Sequence, residues 1–82
     1  MTLINLSNQI TDSFESLNHH TVDLDDIVLK RLKQHFPLYE CSKNDFEIGI
    51  HENFAWGETI FDITWTSTFK NNFAEVYPEA II

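Results

Sequence analysis

Several residue types are scarce in this chain. Among 82 residues there are one cysteine, two glycines, two prolines, and five Lys plus Arg against thirteen Asp plus Glu. A single thiol, Cys41, can close no internal disulfide and supply no cysteine cluster for zinc. Two glycines leave no room for a glycine-rich phosphate loop. No apolar run approaches the ~18 residues of a membrane span. Neutral residues follow Met1, where a secretory signal would carry basic ones, so the chain is expected to work in the cytoplasm. The shortage of cations gives a net charge of −8. Phosphate backbones and anionic lipids both demand basic surface, so neither nucleic acid nor membrane is an expected partner. A basic protein is, because the field of an acidic domain steers it in.

What is present points to a folded domain. Apolar residues make up 43% and aromatic residues 13%, including seven Phe, which excludes a disordered acidic tail. The length fits one domain, 1–82. Charge is segregated along it. Residues 1–29 carry five acids and no Lys or Arg. Residues 30–43 carry Lys30, Arg31, Lys33 and Lys43 against Glu40, and residues 44–82 carry seven acids against Lys70.

Leu3, Leu6, Ile10, Phe14 and Leu17 recur at three- and four-residue steps, the mark of one helical face. A second helix is expected from Asp23, a good N-cap, with Asp25 and Asp26 in the first turn. Leu24, Ile27, Val28, Leu32 and Phe36 form its apolar stripe. Lys30, Arg31, Lys33 and His35 fall near its end, and Pro37 stops it. An acidic start and a basic end complement the helix dipole, so this segregation has a local explanation.

From Phe46 the period falls to two. Phe46, Ile48, Ile50, Phe54 and Trp56 alternate with smaller or polar residues, as do Thr59, Phe61, Ile63, Trp65, Ser67 and Phe69. A two-residue Gly57-Glu58 turn would join them as a hairpin. That register sets Phe46 opposite Phe69, Ile50 opposite Trp65, Glu52 opposite Ile63 and His51 opposite Thr64. A wider loop over 53–58 with shorter strands is the alternative. Leu38–Cys41 could add a third strand; without it both sheet edges stay open, inviting a second copy or a partner. Asn71–Tyr77 reads as a short helix before Pro78. The expected class is α+β: two N-terminal amphipathic helices on one face of a long antiparallel hairpin, then a short C-terminal helix.

Candidate chemistry is sparse. His19, His20, His35 and His51 show no metal-ligand spacing, and Asp23, Asp25 and Asp26 lack the glycine and distal glutamate of a calcium loop. His51 near Asp62 and Thr64 resembles a triad only superficially, since polar strand faces bring such residues together routinely. The basic helix end could lower the Cys41 pKa, although an inert half-buried thiol is the simpler reading. No cofactor, metal or catalytic residue is therefore assigned. The expected partner-binding residues are the acids Asp12, Glu15, Asp23, Asp25, Asp26, Glu52 and Asp62, with Phe54 and Trp56 at the hairpin tip as aromatic anchors and Tyr39 as another. Size and charge together suggest a non-catalytic inhibitor of a basic toxin or nuclease. It would be either an immunity protein acting like an antitoxin or a phage anti-defence protein of the anti-CRISPR or DNA-mimic kind. A homodimeric assembly subunit paired through its sheet edges is the other class considered.

Overall fold

The computed structural model describes all residues except His19, Phe54, Trp56 and Ile82, and the side chain of Asn53. The first helix, α1, spans Leu3–Phe14. Thr2 caps it, its hydroxyl accepting from the Asn5 N–H at 3.2 Å. Leu3, Leu6, Ile10 and Phe14 are buried on one side, as their spacing requires. The helix stops short of the expected Leu17. Ser13 and Ser16 donate back to the carbonyls of Ile10 and Ser13, and the Leu17 N–H bonds Phe14. These three-residue bonds tighten the chain into a turn.

The second helix, α2, spans Leu24–His35. Its N-cap is Asp23, which accepts from the Asp26 N–H. Asp25 and Asp26 lie in the first turn, and Lys33 and His35 in the last. It ends one residue before the Phe36-Pro37 pair, as expected for a residue preceding proline. A single 3-10 turn, Lys43–Asp45, then leads into the sheet through a capping box between Ser42 and Asp45.

The sheet has two antiparallel strands among the described residues, β1 (Phe46–Asn53) and β2 (Glu58–Trp65). Phe46 faces Trp65, not Phe69, so β2 is displaced by four residues from the tight-turn register. The two-residue Gly57-Glu58 turn is also replaced: Glu58 pairs with Asn53, inside the strands. Gly57 supplies the left-handed backbone just before β2, with φ +66°. The wider-loop alternative is the one realised. Because four is even, every side chain keeps its face and only the partners change. Phe46, Ile48, Ile50, Glu52, Thr59, Phe61, Ile63 and Trp65 still share one side.

The second correction concerns the chain after Trp65. The alternation through Ser67 and Phe69 continues the strand pattern, yet the third helix, α3, starts at Ser67 and runs to Val76, not from Asn71. Thr66 is its N-cap, the hydroxyl accepting from the Phe69 N–H at 3.1 Å. The Thr66 N–H meanwhile bonds the Asp45 carbonyl, which closes the open end of the hairpin. Phe69 and Phe73, four residues apart, then sit on one helical face and are fully buried. Leu38–Cys41 forms no strand, which removes the third-strand option. Instead the Tyr77 hydroxyl accepts from the Leu38 N–H at 2.9 Å and ties this segment to the C-terminal helix.

One contiguous core results. It joins α1, α2, Phe36, Phe46, Trp65, Phe69, Phe73 and Ala80. Trp65 stacks on Phe69 with centroids 4.7 Å apart, and Phe69 on Phe73 at 5.2 Å. The Trp65 indole N–H donates to the Ser7 hydroxyl at 2.9 Å, so the large ring is buried without stranding its donor. α1 packs against both β2 and α2. The hairpin outruns this cover, and the molecule is 43 Å long but only about half as wide. Ile50 on the helix-side face stays 43% exposed as a result.

Candidate functional site

The acids expected to form one surface are divided among several places. Asp23 is held by structure: it caps α2 and lies 3.3 Å from Lys43 Nζ. The Asp26 backbone N–H, and after it Lys43, holds its carboxyl below the usual carboxylate range. Asp26 pairs with Lys30 at 3.0 Å across one helical turn, and Asp25 is half-buried in the same first turn. Asp12 is exposed on α1 and Glu15 at its C-cap. Glu52 is exposed near the hairpin end and faces Thr59, not Ile63. Asp62 lies on the sheet face turned away from the helices. Phe54 and Trp56 fall outside the described residues. Tyr39 packs its ring on Phe69 and Phe73 at 5.2 and 5.6 Å, so it serves the core.

An open concavity with two acidic side chains in its lining lies where the end of α1 meets the start of β2. It encloses about 480 Å³ and is lined by Phe14, Glu15, Leu17, Gly57, Glu58 and Phe61 among others. Half-buried Leu17 and Phe61 supply its apolar part, and the fully buried Phe14 ring packs edge-on behind Phe61 at 5.5 Å. Glu15 and Glu58 are exposed and stand at its margin. A long cationic side chain, apolar along its stem and charged at its tip, matches the chemistry of this lining. Glu58 was not legible as a binding residue, because the tight-turn reading places it inside the turn.

On the far sheet face His51 Nε2 lies 2.8 Å from Asp62 Oδ2, the ring N–H donating to the carboxylate. The pair is diagonal: His51 faces Ile60, not Thr64, and Asp62 faces Gly49. Gly49 makes the contact possible. A Cβ there would meet the Asp62 carboxylate, with its carbon only 2.9 Å away. Both side chains are more than half exposed. The pair is a solvated contact on an open sheet face. Cys41 runs opposite to the electrostatic expectation. Burial, and then nearby Asp45, push the thiol up to about 12, so it is protonated and unreactive at neutral pH.

Among the described residues no three His, Cys, Asp or Glu side chains gather closely enough to hold a metal ion. Nor is any described helix long and apolar enough to cross a membrane. Comparison with known proteins returns no matching family model, no matching curated protein and no matching solved structure.

Proposed function

We propose that this chain is a small, acidic, non-catalytic inhibitor that binds a basic protein in the cytoplasm, with an immunity-type role against a toxin or nuclease. The observation that carries the reading is the hollow between α1 and β2, lined by Glu15 and Glu58 together with half-buried Leu17 and Phe61. Such a hollow suits an arginine or lysine side chain of the partner. The net charge of −8 supplies the long-range attraction. Asp12, one turn earlier on α1, and Glu52 toward the hairpin end extend the negative margin, and Phe54 and Trp56, close to Glu52 and Glu58 in sequence, are the candidate anchors.

The experiment is capture of the partner from host cells on the tagged chain, followed by stopped-flow association with the purified partner at two salt concentrations. Steered association slows by about tenfold or more between low and physiological salt. Charge reversal at Glu15 and Glu58 together slows it further and weakens inhibition of the partner. A partner whose association rate is indifferent to salt, or one that is itself acidic, contradicts the proposal.

A further inference from the structure

β1 has β2 on one side and no strand neighbour among the described residues on the other. Its helix-side face carries half-buried Ile48 and Ile50, the latter 43% exposed. Its far face carries Glu47, Gly49 and His51. A second copy could pair with this edge about a two-fold axis, and the side-chain pattern restricts the register. Pairs that keep like faces together must centre on a residue, not between two. Centring on Ile48 sets Glu47 against Gly49 and carries His51 past the strand start. Centring on Ile50 sets Glu52 against Ile48, and centring on His51 sets imidazole against imidazole. Centring on Gly49 alone sets Glu47 against the partner's His51, twice, and Ile48 against the partner's Ile50, twice; it leaves Glu52 opposite the partner's Phe46 at the two ends, where the Phe46 ring is turned into its own core and the carboxylate stays in solvent. β2 offers no equivalent, since it carries Glu58 and Asp62 and no cation.

We infer that the chain forms a two-fold dimer by antiparallel pairing of β1 with β1 of a second copy, centred on Gly49. Each His51 then stands between two carboxylates, Asp62 of its own chain at 2.8 Å and Glu47 of the partner subunit. Gly49 puts no side chain on the axis, where the Asp62 carboxylates already lean over the strand. The four isoleucines form one apolar strip on the helix-side face, covering the surface that α1 leaves open. Four carboxylates around two imidazoles, and a small apolar strip, make this a weak dimer that needs high protein concentration. The inference stands apart from the inhibitor reading, because it uses the opposite strand from the acidic hollow.

The test is sedimentation equilibrium of the full chain from ~10 μM to ~1 mM. The mass rises from 9.6 kDa toward twice that value. Ile50→Lys and Glu47→Lys, both at exposed positions, each shift the midpoint upward by tenfold or more while circular dichroism stays unchanged. Register is read by Glu47→Cys/His51→Cys in a Cys41→Ser background, oxidised at high concentration. Within one extended strand these positions are about 13 Å apart and cannot bridge. Across the Gly49-centred pair they face each other and close a covalent dimer. A chain monomeric throughout, a dimer indifferent to both Lys variants, assembly beyond two copies, or the absence of a covalent dimer each overturns the inference.

Discussion

Replacing Thr66 by Val separates two ways of reading the chain after Trp65. If 59–69 were one strand, Val would serve as well as Thr or better, since both are β-branched strand formers. In the structure the Thr66 hydroxyl accepts from the Phe69 N–H at 3.1 Å and caps α3. Its loss leaves that donor without its cap, at a cost of about 1 kcal/mol. The added methyl recovers roughly 0.4 kcal/mol at a half-buried position. The net loss is about 0.6 kcal/mol, or ~3–5 °C in Tm for a domain of this size. Thermal denaturation followed by circular dichroism resolves that difference. Thr66→Ser retains the hydroxyl and stays within ~1 °C or so of the parent on the same scale. A Val variant as stable as the parent, or more so, refutes the capping argument and with it the start of α3.

Other substitutions probe the remaining links. Phe69→Ala empties a fully buried site stacked on Trp65 and Phe73 and loses about 3–5 kcal/mol, which urea titration reads as a lower midpoint. That is a large share of the roughly 4–12 kcal/mol expected for 82 residues. Gly49→Ala displaces the Asp62 carboxylate and breaks its contact with His51, seen as a shift of the His51 ring nitrogens in NMR, with fold stability nearly unchanged because the displaced atoms end a flexible side chain. Cys41 reacts slowly with a disulfide reagent near neutral pH and quickly once urea unfolds the chain. Since the folded thiol ionises near 12 and the unfolded one near its ordinary value, stability falls as pH rises above about 9, and Cys41→Ser flattens that limb. Asp23 has the opposite sign. Its folded carboxyl is held low, so its stabilisation is present at neutral pH and is lost as pH falls below about 4; Asp23→Asn, which still caps, weakens that acid limb.

The helices and the faces of the hairpin were legible because each is written in a period. The spacing of Leu3, Leu6, Ile10 and Phe14 admits one buried side, and Asp23 and Pro37 mark the bounds of α2. The register was not legible, because alternation fixes which face a residue takes and is blind to an even slip. Thr66 was misleading for a physical reason: the same β-branched hydroxyl that favours a strand also caps a helix. Phe69 and Phe73 carried the helical spacing, but Phe69 also continued the alternate pattern from Phe61. At the candidate site, the structural role of Asp23 was legible as a cap and its assignment to a binding surface competed with that. The hollow was not legible, since Glu15 and Glu58 line one concavity only once the end of α1 and the start of β2 converge in space.

The most direct test is a nitrogen-15 NMR titration of the chain with its purified basic partner. The account predicts that the amides of Glu15, Leu17, Gly57 and Glu58 shift and broaden first, with those near Lys70 and Ile81 unmoved. A second hollow is lined by Ile4, Asn8, Trp65 and Lys70; a footprint there, with the Glu15–Glu58 hollow unchanged, contradicts it.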